Sequence, residues 1–177
     1  MQGPKVKEFE ESFAKYIGTK YAIAASSGTA ALHMALLSNK IGKDSEVITS
    51  PLSFISTSNT ILYVGAKPVY VDVDEASFNI DVKKIEEKIT DKTKALMIVH
   101  LFGQPCDMRR IKETCNDHNL ILIEDACQAH GAEFDGKKVG SFGTGCFSFY
   151  QTKKYDNWVP WCSFAPIEPQ IWCALKN

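Results

Sequence analysis

Residues 95–125 read ALMIVHLFGQPCDMRRIKETCNDHNLILIED. ALMIVHLF (95–102) is a continuous apolar run, as expected of a strand buried on both faces of a parallel sheet. MRRIKETCNDHN (108–119) has a helical pattern. LILIED (120–125) is a second buried strand, ending in two acids. A strand, a helix and a strand in about 30 residues make one crossover unit, which forces the two strands to run parallel.

Working outward, the alternation continues. Toward the N-terminus, Phe9, Phe13 and Ile17 mark one face of an amphipathic helix over 5–17 that Gly18 ends. Residues 21–24 form a short strand, and SSGTAALHMALL (26–37) is a turn opening a helix that Ser26 or Ser27 caps. Glu46-Val47-Ile48 is a strand, 49–54 a loop around Pro51, 56–64 helical, and KPVYVDVD (67–74) a strand. VKKIEEKIT (82–90) carries Val82, Ile85 and Ile89 on one face. Toward the C-terminus, FDGKKVG reads as a hairpin turn and CFSFY (146–150) as a short aromatic strand. Strands alternating with helices predict an α/β fold: a mostly parallel sheet with helices on both faces. Ligands in such folds bind beyond the carboxyl ends of the strands. Ser26–Thr29, Phe54, Asp125 and Lys153 all follow strands.

Composition narrows the function classes. The chain has 177 residues, enough for one domain with a sizeable core. Lys and Arg number 20 against 21 Asp and Glu, which does not suggest a nucleic-acid binder. The N-terminus has no apolar segment typical of a secretory signal, and no apolar run reaches the roughly 20 residues of a membrane span; the cytoplasm is the expected location. The six cysteines form no C-x-x-C pair and His33, His100, His118 and His130 share no ligand spacing, so no metal site is expected. Reduced thiols are expected too. Gly131 to Lys138 has the spacing of a phosphate-binding loop but lacks its final Ser or Thr.

Six places carry candidate chemistry. At Ser26-Ser27-Gly28-Thr29-Ala30 a strand meets a helix N-terminus, where free N–H groups and the helix dipole favour a phosphate; a merely capped helix start has the same pattern. Asp125, at the end of an apolar strand, needs a partner that stays charged. A protonated pyridine nitrogen is one such partner, and a helix cap or ion pair is another. Gln128, three residues on, is placed to hydrogen-bond a ring oxygen, or is a surface glutamine. Lys153, after the aromatic strand, is a candidate amine nucleophile or an ordinary surface lysine. Phe54 is either a stacking ring or a core residue, and Ser148 a phosphate ligand or one position of an alternating strand.

The ordered set SSGTAALHMAL, EVITSPLSFISTSNTI, VYVDVD, HLFGQPCDM, IEDACQAHGAEFDGKKVGSFG and CFSFYQTKK resembles the DegT/DnrJ/EryC1/StrS aminotransferase family over about residues 5–154. The resemblance implies the large domain of a fold type I transferase dependent on pyridoxal 5'-phosphate (PLP). It implies transfer of an amino group from glutamate or glutamine to a keto sugar, often nucleotide-linked, and a homodimer for the full-length protein. By position, Lys153 is the Schiff-base lysine, Asp125 pairs with the pyridine nitrogen, Gln128 meets the ring hydroxyl and Phe54 stacks on the ring. Gly28, Thr29, Ala30 and Ser148 hold the phosphate. Relatives with histidine at the lysine position act as dehydratases, and Lys153 argues against that branch.

After Lys154 the resemblance stops. The family's glycine-rich continuation and C-terminal small domain have no counterpart in 155–177, an aperiodic stretch holding all three tryptophans and not expected in the sheet. Codons for Tyr155–Trp161 read one base later can spell Met-Ile-Thr-Gly-x-x-Gly, close to that continuation. The expectation is therefore a partial PLP-binding large domain over 1–154 and a frameshifted tail. The alternatives to a full aminotransferase are an inactive truncated fragment and a stand-alone PLP- or sugar-binding module.

Overall fold

The computed structural model describes residues 3–149 and the strand 172–176. Helix α1 (Pro4–Ile17) starts with proline at its first turn, where no N–H is needed, and stops at Gly18. Gly18 adopts φ 84° and returns its N–H to Ala14. Then follow β1 (Tyr21–Ala25), α2 (Gly28–Ser38), β2 (Glu46–Thr49), α3 (Ser56–Tyr63), β3 (Lys67–Tyr70), β4 (Thr93–Val99), α4 (Met108–Asp117) and β5 (Ile121–Asp125). A small hairpin, β6 (Glu133–Phe134) and β7 (Lys137–Lys138), precedes β8 (Thr144–Ser148), and β9 (Trp172–Lys176) completes the described chain.

The main sheet has the order β1-β9-β8-β5-β4-β2-β3. Strands β3, β2, β4, β5 and β8 run parallel, and β9 lies antiparallel to both β8 and β1. Helices cover both faces, as the alternation predicts. On one face Ala31, Leu32, Leu36 and Ile61 of α2 and α3 pack on Val47, Met97, Ile123 and Cys146. On the other, Met108, Ile111 and Cys115 of α4 pack on Ile48, Leu96, Ile98 and Leu122, and Phe13, Ala14 and Ile17 of α1 pack around Ala22 and Phe147. Alternate residues of β4 and β5 thus enter opposite cores, each large apolar side chain stabilising the fold by about 1.5–3 kcal/mol. Among the described residues no helix is long and apolar enough to cross a membrane.

Several expectations are corrected. Strand β3 ends at Tyr70; the chain then leaves the sheet, and Val73 bridges back to Ile80. Residues 82–90 form two single turns of 3₁₀-helix, Val82–Lys84 and Glu86–Lys88. Val82 and Ile85, three apart, superimpose in that tighter winding. The aromatic strand begins two residues early, at Thr144. The tail does enter the sheet: β9 pairs through its backbone with Tyr21–Ala25 and Cys146–Ser148, meeting edges that would otherwise be unpaired. The predicted hairpin is present, with Asp135 and Gly136 both at positive φ as its tight turn requires.

Candidate functional site

The carboxyl ends of β1, β2, β4, β5 and β8 lie along one edge of the sheet, and the chain segments leaving them carry the candidate residues. Gly28 opens α2. A Cβ built on it would stand 3.0 Å from Cys127 Sγ and 3.2 Å from Ser148 Cβ. The ends of β1, β5 and β8 therefore converge here, and a side chain at position 28 would fill the space between them. Ser27 caps α2, its Oγ accepting from the Ala30 N–H at 3.0 Å. That bond engages the Ala30 amide within the helix. The Gly28 and Thr29 amides, in the same first turn, donate to no described residue.

Asp125 is 4% exposed. Pleating sends its side chain to the α2–α3 side, the side of Ile123. Its Oδ2 accepts from the Thr57 hydroxyl at 2.7 Å and its Oδ1 from the Cys127 N–H at 3.2 Å. Among the described residues no lysine, arginine or histidine forms an ion pair with it. A buried carboxylate held by neutral donors alone is costly, and a cationic ring nitrogen would relieve that cost.

Gln128 lies in the turn after β5. Its Oε1 accepts from the Phe102 N–H at 3.1 Å, so its NH₂ points elsewhere as a donor suited to a ring oxygen. Phe102 sits in the left-handed region at φ 53°. The loop that holds it, leaving β4, is fixed by Asn79, whose Oδ1 accepts from Leu101 N–H and whose Nδ2 donates to the Gln104 carbonyl. Phe54 ends the loop after β2, its side chain 66% exposed and its carbonyl accepting from the Thr57 N–H. Ser148 is buried at the end of β8 beside Gly28. Lys153 lies outside the described residues.

The structure thus places Gly28, Asp125 and Ser148 along the carboxyl edge of the sheet, with Gln128 on the adjoining turn; Phe54 stands on a neighbouring loop, in solvent. The sequence reading missed Thr57, Ser53, Asn79, His100 and Glu124. Glu124 is fully buried on the opposite face, accepting from His100 Nε2 and the N–H groups of Gly140, Phe142 and Gly143. Its charge, after burial, pushes the Cys106 thiol well above its ordinary value. The one sequence signal for Thr57 was a hydroxyl-rich helix start, SFISTSNT, which reads equally well as exposed.

Residues 1–155 match the family model of the DegT/DnrJ/EryC1/StrS aminotransferases. The chain is 50% identical over 152 residues to a GDP-perosamine synthase of Caulobacter vibrioides, covering 85% of this chain and 41% of that protein. It is 48% identical over 153 residues to the spore coat polysaccharide biosynthesis protein SpsC of Bacillus subtilis, covering 86% and 39%. The structure of an aminotransferase from Psychrobacter cryohalolentis superimposes with a TM-score of 0.88 at 40% identity, over 99% of this chain and 42% of that one. The chain therefore spans about two-fifths of the length of the relatives it matches, and its sheet is that of the fold type I aminotransferases over part of their chain. On the strength of the matched residues and the shared fold, this chain belongs to the DegT/DnrJ/EryC1/StrS aminotransferase family.

Proposed function

We propose that this chain is the cofactor-binding part of a PLP-dependent aminotransferase, one that moves an amino group from glutamate or glutamine to a nucleotide-linked keto sugar in polysaccharide biosynthesis. The observation that carries the reading is Asp125, a carboxylate buried at the sheet edge whose donors among the described residues are all neutral. PLP supplies, when bound, a ring that accepts electrons as the α-carbon proton leaves. Asp125 holds the ring nitrogen protonated. The Gln128 amide donates to the ring oxygen. The Gly28 and Thr29 amides and Ser148, around a space that only glycine leaves open, receive the phosphate. Phe54 supplies an aromatic face. Lys153, outside the described residues, is assigned by its position after β8 to bond the cofactor and then carry the proton at the donor's α-carbon. The names of the relatives, a GDP-perosamine synthase and a spore coat polysaccharide protein, support the sugar as acceptor.

Purified full chain mixed with PLP is expected to show a visible absorption band that Lys153→Ala abolishes. A folded chain with no such band sinks the cofactor assignment. The alternative reading is a stand-alone PLP- or sugar-binding module that binds without turnover. Glutamate-dependent amination of a nucleotide-linked keto sugar separates the two: product formation supports the enzyme, and a band with no product supports the module.

A further inference from the structure

Thr57, fully buried in the first turn of α3, has one hydroxyl proton and two polar neighbours. Its Oγ1 is 2.7 Å from Asp125 Oδ2 and 2.7 Å from Ser53 Oγ. A carboxylate oxygen only accepts, so the Thr57 proton goes to Asp125. The Ser53 contact must then run the other way, Ser53 donating to Thr57. The result is a directed chain, Ser53 to Thr57 to Asp125. It begins at half-buried Ser53, on the exposed loop that carries Phe54, and ends on the buried carboxylate.

This use of a helical hydroxyl is not the local one. Threonines in helices commonly return their proton to a carbonyl a turn earlier. Thr60, three residues on in the same helix, does so, donating to the Thr57 carbonyl at 3.2 Å. Thr57 instead reaches across 68 residues of sequence. With Cys127 N–H on Oδ1, both carboxylate oxygens are held by different elements, one by α3 and one by the turn after β5. The carboxylate cannot rotate without breaking one of the two bonds.

We propose that Thr57, supported by Ser53, is a positioning residue: it sets the Asp125 carboxylate for a cationic ring nitrogen and couples it to the loop bearing Phe54. The proposal rests on the reading of Asp125 as the cofactor's partner. A hydrogen bond to a charged group is stronger than one between neutral groups, so removing the Thr57 hydroxyl is expected to weaken PLP binding by about tenfold. Ser53 acts through Thr57, and its loss is expected to cost about two- to threefold.

The test uses the full chain labelled with ¹³C-aspartate, first without cofactor. The Asp125 ¹³Cγ resonance is assigned by its loss in Asp125→Asn. Thr57→Val, close to isosteric, is expected to move that resonance. Thr57→Ser is expected to restore it, and Ser53→Ala to move it less in the same direction. PLP affinity, read by absorbance titration, is expected to follow the same order. An unmoved resonance in folded Thr57→Val overturns the proposal whatever the cofactor does. A moved resonance with unchanged PLP affinity overturns the positioning role. A wild-type chain that binds no PLP removes the cofactor reading and this role together, while the resonance still records the hydrogen bond. Should Thr57→Val fail to fold, Ser53→Ala, on the loop, decides the same question: no shift and no change in affinity would count against the chain of hydroxyls.

Discussion

Glu124 and Asp125 are neighbours on β5, both carboxylates and both buried, yet they are treated in opposite ways. Glu124 turns to the α4 face, where it meets four donors: His100 Nε2 at 3.2 Å, and the N–H groups of Gly140 at 2.7 Å, Phe142 at 2.8 Å and Gly143 at 2.6 Å. His100 Nδ1 accepts from the Cys106 N–H, which leaves the ring proton on Nε2 for Glu124. Four donors fill the acceptor capacity of a carboxylate. Asp125 turns to the other face, finds two donors, and meets no cation among the described residues. Identical chemistry one residue apart is thus divided by its accounting of hydrogen bonds. The satisfied acid ties the 140–143 turn and the β4 exit to the sheet. The other, with two donors among the described residues, is the one we propose to meet the cofactor's ring nitrogen.

The comparison breaks most readily at Glu124. In Glu124→Ala, the buried N–H of Gly140, the half-buried N–H groups of Phe142 and Gly143 and a buried imidazole N–H lose their acceptor. Each unmet buried donor costs about 1–3 kcal/mol, and relaxation recovers part of the sum, so a loss on the order of 4 kcal/mol is expected in urea unfolding. A loss under about 1 kcal/mol would mean that Glu124 is no scaffold and that the contrast is false. Asp125→Asn should do the reverse. Asparagine keeps an acceptor and the shape, so stability should change by less than about 1 kcal/mol. PLP affinity should fall on the order of a hundredfold, because the carboxylate's charge is what a ring cation needs. Equal and large stability losses in both variants would erase the distinction.

Two glycines repeat the contrast at smaller scale. Gly140, at φ 82°, lies against the Phe147 ring, into which a Cβ would drive. Gly140→Ala is expected to destabilise by about 2–3 kcal/mol, measured by thermal unfolding, through left-handed strain and overpacking together. Gly28 has ordinary backbone and a tight but yielding neighbourhood, with Cys127 Sγ at 3.0 Å from a built Cβ. Gly28→Ala should cost under about 1 kcal/mol in stability and show instead as a several-fold loss in affinity for PLP or inorganic phosphate.

How far all this could be read from the sequence depends on the range of the interaction. Strands β4 and β5 were legible because burial on both faces writes a continuous apolar run, and α1 because its stripe of Phe9, Phe13 and Ile17 is local. The 82–90 segment was not, since apolar residues three and four apart suit one helix face and a pair of 3₁₀ turns alike. Strand β9 was not, because its place comes from backbone pairing with β1 and β8, which needs no side-chain period. In the site, Gly28 stood out in a turn that follows a strand and Asp125 as an acid that ends one, whereas Ser148 read as one position of an alternating strand until the family resemblance gave it a role. Thr57 and Ser53 did not, for their partner lies 68 residues from Thr57. Glu124 and Asp125 read alike as two acids ending a strand. Only the pleat and the 140–143 turn tell them apart.

A third carboxylate sharpens the comparison at the smallest scale. Glu46 begins β2, at the opposite end of the sheet from Asp125, and its partners are Lys67 Nζ at 2.9 Å and Thr90 Oγ1 at 2.7 Å. The bond from Lys67, then that from Thr90, holds its carboxyl below the ordinary 4.5, with burial opposing. A group depressed in the folded chain adds stability above its ordinary value and loses it as pH falls through the folded one. Lys67 is largely exposed, so the contribution is expected to stay under about 1 kcal/mol. Urea midpoints measured from neutral pH down through 4.5 should therefore fall on the acid side in the wild type and fall less in Glu46→Gln. Parallel curves would show that the pair adds nothing. A flattened curve would place Glu46 between its two counterparts: a carboxylate satisfied like Glu124, but by a partner that water can replace.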